Sequence, residues 1–186
     1  CYSSLSTLDT VMQVLVIGSG GREHALAWKA AQDKDVTYVY VCPGNAGTAL
    51  EEKVRNIKVD INDFTAIEIF CVLKNIGLVI IGPEQPLVDG LSDFLQSKGI
   101  KAFGPSQAAA QLEGSKTFSK DFFIKYGIPT AGYSSFDDFE TARAHLEVID
   151  YPTVVKADGL AAGKGVIICD NKDEASKALK NIFQDQ

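Results

Sequence analysis

The chain has 186 residues, of which 46% are hydrophobic and 23% are charged. That length suits one ordinary domain, or one domain and the start of another, and the composition is globular rather than disordered. The formal net charge of −6 argues against a nucleic-acid-binding domain, since such domains present a basic surface. The negative charge does not exclude the binding of small phosphorylated ligands, because such a site needs only a few N–H groups and one or two cations.

The four cysteines contain no Cys-x-x-Cys pair, so no zinc-site spacing is present. We expect buried, reduced thiols and a cytoplasmic chain. No apolar run is long enough to span a bilayer, and residues 1–11 lack the basic and apolar parts of a signal peptide. Met12 is the natural first residue of the fold, and we expect residues 1–11 to be a disordered leader or tag.

Strands and helices alternate over the first hundred residues. Short apolar or β-branched runs predict five strands, at Gln13–Ile17, Thr37–Val41, Ile57–Ile61, Leu78–Ile81 and Lys101–Phe103. Helix-forming stretches lie between them, at Glu23–Gln32, from Asn62 or Asp63 to Lys74, and at Val88–Lys98. This alternation predicts an α/β fold with a doubly wound parallel sheet.

The pattern changes after Ser106, and we place a domain boundary between Gly104 and Gly127, with residues 12–113 as the first domain and 114–186 as the start of a second. Helices are predicted at Ser106–Glu113, Lys116–Tyr126, Asp137–Val148 and from about Lys172. Short strands are predicted near Tyr133–Ser134 and at Thr153–Ala157 and Val166–Cys169.

Three loops follow predicted strands of the first domain: Gly18–Glu23, Pro43–Thr48 and Gly82–Leu87. All three are rich in glycine, proline or small residues. Ligands of open α/β sheets bind beyond the carboxyl ends of the strands. The sequence therefore directs the search for function to these loops.

The first of these loops opens a helix, and its small residues would let an anion approach free N–H groups. Arg22 adds a cation, and Glu23 could hold sugar hydroxyls. A dinucleotide fingerprint would have glycine in place of Glu23 and an acid near Cys42, so a single phosphate fits better. The alternative readings are a tight turn without a ligand, a solvated Arg22 and a Glu23 that only favours the helix dipole.

A second glycine-rich loop, Asp158–Gly165, lies between two predicted strands. Its spacing is one residue short of a phosphate-binding P-loop and a strand follows it, so we interpret it as a flap that closes over a triphosphate. Lys156 on the incoming strand would add charge to the same space. A hairpin with a solvated lysine is the alternative, and Lys116, at a helix break, is a weak signal by itself.

Five strings together resemble the glycinamide ribonucleotide synthetases (phosphoribosylamine–glycine ligases). They are, in chain order, Val16-Ile17-Gly18-Ser19-Gly20-Gly21-Arg22-Glu23-His24-Ala25, Pro43-Gly44-Asn45-Ala46-Gly47-Thr48, Gly82-Pro83-Glu84 with Pro86-Leu87, Gln111-Leu112-Glu113-Gly114-Ser115-Lys116, and Lys156-Ala157-Asp158-Gly159-Leu160-Ala161-Ala162-Gly163-Lys164-Gly165. The resemblance covers essentially residues 12–186. It implies a doubly wound domain that precedes the first part of an ATP-grasp domain.

The resemblance implies the ligation of glycine to 5-phosphoribosylamine in purine synthesis, with ATP converted to ADP and phosphate through a glycyl phosphate. It assigns the phosphoribosylamine site to Gly18, Ser19, Gly20, Gly21, Arg22, Glu23, Pro43, Gly44, Asn45, Gly47, Gly82, Pro83, Glu84, Pro86 and Leu87. It assigns ATP to Lys116, Lys156, Gly163, Lys164 and Gly165. It names no catalytic residue, places the magnesium ligands beyond Gln186, and involves neither nucleic acid nor a membrane.

The family continues beyond Gln186, so we expect this chain to be a piece of a longer enzyme and inactive alone. Gln85 stands where alanine is common in the family, a change we expect to be tolerated. The alternatives are a related ATP-grasp carboxylase of purine synthesis or biotin carboxylase, a phosphosugar-binding module without chemistry, and a nicotinamide-dependent dehydrogenase. The strings Gly20–His24 and Pro43–Gly47 together favour the synthetase over the carboxylases, and Glu23 and the absence of an acid near Cys42 count against the dehydrogenase.

Overall fold

The computed structural model describes residues 11–160 and 165–184. The chain separates into two compact units, one that ends at Ala110 and one that begins at Gln111. Each unit is described by itself below. The leader or tag expected at the N-terminus falls, except for Val11, outside the described residues.

The first unit is built on one parallel sheet of five strands in the order β3-β2-β1-β4-β5. The strands are β1 Met12–Gly18, β2 Val36–Pro43, β3 Val54–Asn56, β4 Ile76–Ile81 and β5 Ala102–Phe103. Its helices are α1 Gly21–Ala31, α2 Phe64–Leu73, α3 Glu84–Val88 and α4 Leu91–Ser97, with a 3-10 turn at Thr48–Leu50, and the helix α5 Gln107–Gly114 runs across the boundary at Ala110. The predicted α/β class is confirmed.

Both faces of the sheet are covered, as the residues of β1 show. Leu15 and Ile17 point to one face, where α2 and α4 pack, while Val14 and Val16 point to the other, where Ala27 of α1 packs. All four β1 side chains are at most 2% exposed. A continuous apolar strand is what a parallel sheet with helices on both faces requires.

The third strand was predicted at Ile57–Ile61, and this prediction is wrong, because the strand is Val54–Asn56. The alternating apolar side chains from Ile57 onward are partly buried against the core, which explains the misleading pattern. The Ile57 amide still donates to the Val41 carbonyl of β2 at 2.9 Å, but the pairing of β3 with β2 ends at Asn56, so the later residues of the predicted strand lie outside the ladder.

The single helix predicted at Val88–Lys98 is also wrong, because two helices occupy this region. The break falls at Gly90, whose φ of 94° lies in the left-handed region that favours glycine. Gly90 serves as the N-cap of α4 while α3 ends at Val88.

The second unit contains the helices α6 Lys116–Lys125, α7 Phe139–His145 and α8 Lys172–Gln184 and the antiparallel strands β6 Thr153–Lys156 and β7 Val166–Cys169. Its core is formed by Ala142 of α7, Leu146 directly after that helix, Cys169 of β7 and the apolar face of α8. Throughout the described residues, no helix combines the length and the apolar character that a membrane span needs.

The strand predicted near Tyr133–Ser134 is wrong, because that segment has no regular structure. Side-chain hydrogen bonds, and not a backbone ladder, connect this segment to α6. The Tyr133 hydroxyl donates to Asp121, and the Lys120 ammonium donates to the Ala131 carbonyl at 2.7 Å. Aromatic and hydroxyl residues here satisfied the strand pattern without a partner strand among the described residues.

Candidate functional site

The order of the strands places the three glycine-rich loops at one edge of the sheet. β1 lies between β2 and β4, so the order of the strands reverses beside β1. A ligand crevice forms at this point in doubly wound sheets. The loops touch through their backbones. The Gly44 amide donates to the Gly18 carbonyl at 3.1 Å, and the Gly82 amide donates to the Ile17 carbonyl at 3.1 Å.

The turn after β1 presents the N-terminus of α1. Gly20 is the N-cap of this helix and has an extended backbone. Ser19, Gly20, Gly21 and Arg22 are exposed, and no described residue accepts a hydrogen bond from the amides of Gly21 or Arg22. Open amides at the positive end of an 11-residue helix are suited to an anionic group.

Glu23 lies beneath this turn and is only 4% exposed. Its Oε2 accepts a hydrogen bond from the Gly20 amide at 2.8 Å, and its Oε1 accepts one from Arg22 Nε at 2.9 Å. A Cβ added at Gly18 or at Gly82 would overlap with the Glu23 side chain. The buried carboxylate therefore occupies the space between the turns that follow β1 and β4.

Arg22 connects the same two turns on the exposed side. Its Nη1 contacts Glu84 Oε1 at 2.9 Å, while its Nε contacts Glu23. These hydrogen bonds raise the pKa of Arg22 further and hold the pKa of the Glu84 carboxyl below its usual range. The guanidinium has five N–H donors, so donors are left for a ligand at this edge.

The loop after β2 is held by the side chain of Asn45. Its Nδ2 donates to the Ser19 carbonyl at 2.8 Å, which joins this loop to the first turn. Its Oδ1 accepts from the amide of Thr48, whose buried hydroxyl donates to Asn56 Oδ1 at 2.7 Å. Asn45 is thus a structural link between two of the loops assigned to the substrate.

A second link joins α1 to the segment after the 3-10 turn. His24 Nε2 lies 2.8 Å from Glu51 Oε1, and both side chains are about one third exposed. Gly47 packs so closely on the His24 ring that a Cβ there would overlap with it. This pair was not predicted, because Glu51 lies outside the five strings that carry the family resemblance.

The other residues assigned to the substrate differ in exposure. Pro43 is exposed and Gly44 and Pro83 are partly buried at the same edge. Pro86 and Leu87 are buried, and Leu87 belongs to the core of the sheet. Contact between the last two and a ligand stays a prediction, and their visible contribution is to packing.

In the second unit, the start of α6 contacts the loop that follows β6. The Asp158 carboxylate accepts hydrogen bonds from the Lys116 amide at 2.5 Å and from the Ser115 hydroxyl at 3.0 Å. The Lys116 ammonium donates to the Gly159 carbonyl at 2.7 Å. Burial raises the pKa of Asp158, but the backbone hydrogen bonds from Gly159 and Lys116 outweigh it, so this pKa lies below its usual value.

The remaining residues assigned to ATP lie on the β6–β7 hairpin. Lys156 is exposed at the end of β6, and the Ala157 amide donates to the Gly165 carbonyl at 2.8 Å, which closes the base of the hairpin loop. Gly163 and Lys164 lie outside the described residues. Lys116 has three N–H donors and, within the described part of the chain, uses one on Gly159, which leaves two that suit phosphate oxygens.

Comparison with known families decides what this arrangement belongs to. Residues 12–113 match the phosphoribosylglycinamide synthetase N domain, and residues 114–186 match the ATP-grasp (A) domain of the same synthetase. The chain belongs to the phosphoribosylglycinamide synthetase family. Membership confirms the resemblance drawn from the five strings.

Individual synthetases agree over most of this chain. The phosphoribosylamine–glycine ligase of Vibrio cholerae is 55% identical over 172 residues, or 92% of this chain, and that of Pseudomonas aeruginosa is 53% identical over the same length. The chain spans 40% of the length of each. The crystal structure of the Thermotoga maritima ligase is 36% identical, with a TM-score of 0.69 over 89% of this chain and 38% of that one.

More distant structures share the fold alone. The biotin carboxylase domain of the 2-oxoglutarate carboxylase from Hydrogenobacter thermophilus is 21% identical, with a TM-score of 0.73 over 94% of this chain and 41% of that one. It was determined with MgADP and bicarbonate. The expectation of an ATP-grasp architecture therefore agrees with both the family match and the shape.

Proposed function

We propose that this chain supplies the sugar-phosphate site and the first part of the ATP site of a phosphoribosylamine–glycine ligase. The reaction of the complete protein would join glycine to 5-phosphoribosylamine and release ADP and phosphate. The observation that carries the proposal is the edge at the ends of β1, β2 and β4, which combines open α1 amides with Arg22, within a chain 55% identical to a named ligase.

The phosphate of 5-phosphoribosylamine would lie on the open amides of Gly21 and Arg22, where the helix dipole favours negative charge. The unused N–H donors of the Arg22 guanidinium would stabilise the same anion. Asn45 and Glu84 would hold the neighbouring loops in place, through Ser19 and Arg22 respectively. Except for Glu23, the substrate assignments of the remaining loop residues are carried over as part of this proposal.

For ATP, the donor chemistry of the second unit fits a phosphate chain. Lys116 has free N–H groups, Lys156 is exposed, and the Asp158–Gly165 loop begins beside Lys116. When bound, ATP supplies the phosphoryl group that activates the glycine carboxylate. The described residues contain no group of three or more His, Cys, Asp or Glu side chains able to hold a metal.

The chain spans 40% of the length of the ligases that it matches, so we assign turnover to the complete protein and only ligand binding to these residues. We propose a cytoplasmic setting for it, since its substrates are small phosphorylated metabolites. Release of ADP should require glycine and phosphoribosylamine together in the complete protein. The 186-residue chain should bind ribose 5-phosphate in calorimetry but release no ADP.

A carboxylase of the same superfamily is the second candidate, because carboxylases share the fold. The identity of 21% to a biotin carboxylase domain, against 55% to a named ligase, favours the ligase. Bicarbonate offered in place of glycine should not support ADP release by the complete protein. Turnover with bicarbonate would overturn the assignment.

A further inference from the structure

Glu23 combines features that are unusual for a substrate ligand. Its side chain is 6% exposed, and both carboxylate oxygens already accept hydrogen bonds, from the Gly20 amide and from Arg22 Nε. A sugar hydroxyl that approached Glu23 would have to reach a buried group whose partners all belong to the protein. The contacts of Glu23 are with the turns that would hold the substrate.

Three glycines surround this carboxylate. A Cβ at Gly18, at Gly20 or at Gly82 would come into overlap with atoms of the Glu23 side chain. Gly18 also has a φ of 126°, which any other residue would adopt only with strain. At Gly82 no such φ exists, so Glu23 accounts for the absence of a side chain there.

We propose that Glu23 is a positioning residue of the sugar-phosphate site, and that the glycines around it provide space for its carboxylate rather than for the ligand. Glu23 accepts hydrogen bonds from the Gly20 amide and from Arg22, and it thereby fixes the turn whose Gly21 and Arg22 amides are open to a ligand. It also fills the space between the turns after β1 and β4. This inference rests on the proposed function, which assigns phosphate to those amides.

A direct contact with the sugar predicts a different result from a positioning role. If Glu23 positions the turn, its loss lowers the affinity for every anion that binds there, with or without a sugar. If Glu23 holds sugar hydroxyls, its loss lowers the affinity for ribose 5-phosphate but leaves the affinity for inorganic phosphate unchanged. The two probes therefore separate the two roles on one variant.

The decisive variant is Glu23→Gln, which keeps the size of the side chain but loses one acceptor. We expect about a tenfold weaker affinity for both ribose 5-phosphate and inorganic phosphate, as for the loss of one charge-assisted hydrogen bond. The Gly20 amide resonance should also shift upfield in NMR spectra without ligand. Glu68→Gln is the matched control, because Glu68 lies on α2 and its carboxylate is paired with Lys98. It should change neither the two affinities nor the Gly20 resonance.

Variants at Gly82 test the packing claim without any ligand. Gly82→Ala should lower the melting temperature of the native chain, because the new methyl group overlaps with Glu23. In a Glu23→Ala background the same change should have little further effect, so the two changes should be strongly non-additive. Additive effects would overturn the packing claim.

The outcomes separate this inference from the function on which it rests. If the native chain binds neither probe, the proposed function fails, while the Gly20 resonance and the Gly82 variants still decide the role of Glu23. If Glu23→Gln binds both probes as tightly as the native chain, the positioning role is overturned. Loss of ribose 5-phosphate affinity alone would overturn it in favour of a sugar contact.

Discussion

The carboxylate of Asp158, at the end of β6, caps the N-terminus of α6, because its Oδ1 accepts a hydrogen bond from the Lys116 amide at 2.5 Å. The contact is reciprocal, since the Lys116 ammonium donates to the carbonyl of Gly159. The two residues are 42 positions apart in the sequence. The start of α6 and the start of the glycine-rich loop are therefore fixed to each other before any nucleotide binds.

Replacement of Asp158 by Asn should lower the free energy of unfolding by about 0.5–1 kcal/mol, because a neutral amide oxygen accepts a weaker hydrogen bond from the Lys116 amide than a carboxylate does. The negative charge also stabilises the positive end of the α6 dipole, and Asn lacks it. Urea denaturation followed by far-ultraviolet circular dichroism at pH 7 would measure the loss. Asp137→Asn, an exposed residue of the same unit, is the matched control and should be neutral.

The difference in the free energy of unfolding between the native chain and Asp158→Asn should depend on pH. The pKa of Asp158 is lower in the folded chain than in the unfolded chain, so its stabilising effect is complete above about pH 4. That effect is lost as the pH falls through the folded-state pKa. The difference between native and Asp158→Asn should therefore narrow below about pH 4, and an equal difference at pH 3 and pH 7 would contradict the cap.

The sequence predicted the parts of the fold that depend on local pattern. The apolar run at Val14–Ile17 and the Asp63 cap of α2 were readable because each signal lies within a few residues. The alternation after Ile57 was misread, because the pattern reports burial and not a hydrogen-bonding partner. Gly90 was missed as a break, since its positive φ is decided by how α3 and α4 pack.

The candidate site was found in outline for the same reason. Glycine loops after strands mark a binding edge in any doubly wound sheet. The contacts of Glu23 with Gly82 and of Asp158 with Lys116 were not predictable, because each joins loops that are far apart in the sequence. A signal did exist for Asp158, namely an acid at a strand end followed by glycine, but it does not specify the partner.

Arg22→Lys should weaken ribose 5-phosphate binding by about tenfold while it changes stability little. Lysine keeps the charge, but its three N–H donors lie on a single nitrogen and cannot reproduce the planar fork with which Arg22 contacts Glu23 and Glu84. The guanidinium is 56% exposed, so loss of its ion pairs should cost at most about 1 kcal/mol. Calorimetry would measure the affinity, with Arg55→Lys on the exposed side of β3 as the control.

If Arg22→Lys bound ribose 5-phosphate with unchanged affinity, the positive charge alone would matter and the planar geometry of the guanidinium would have no role. A loss that vanished at higher ionic strength would point the same way, because screened charges account for it. The expected result is a loss that persists in 0.5 M salt. Melting temperatures of both variants should stay close to that of the native chain.

Cys71 should be almost inert towards alkylation in the folded chain. It is 2% exposed, and burial raises its pKa to about 11. At pH 8 the thiolate fraction is then roughly 200 times smaller than for a thiol of pKa about 8.5, and the thiolate is the form that reacts. Labelling with iodoacetamide, read by mass spectrometry, should be slow in buffer and fast in guanidinium.

The raised pKa also fixes how stability changes at high pH. A group whose pKa is higher in the folded state stabilises the fold below its unfolded-state pKa and loses that effect as the pH rises through the folded value. The Cys71 contribution should therefore be complete at pH 7 and decline between about pH 8.5 and about pH 11. Rapid labelling of Cys71 at pH 8 in the native chain would contradict its burial.

Gly21→Ala should separate the role of α1 in the fold from its role in binding. No atom lies within 4 Å of a Cβ at Gly21, and its φ needs no glycine, so alanine fits without strain. Alanine in place of glycine in a helix typically stabilises by about 0.5–1 kcal/mol. The methyl group would nevertheless project beside the open amides, where the phosphate should lie.

We therefore expect Gly21→Ala to raise the melting temperature and to weaken ribose 5-phosphate binding by at least about tenfold, an affinity loss of about 1.4 kcal/mol. Gly132→Ala is the matched control, because Gly132 also has open space around its Cβ and lies in the second unit. It should leave affinity unchanged. If Gly21→Ala bound ribose 5-phosphate as tightly as the native chain, the anion could not lie on the first turn of α1, because a stabilised fold with a blocked surface cannot keep full affinity.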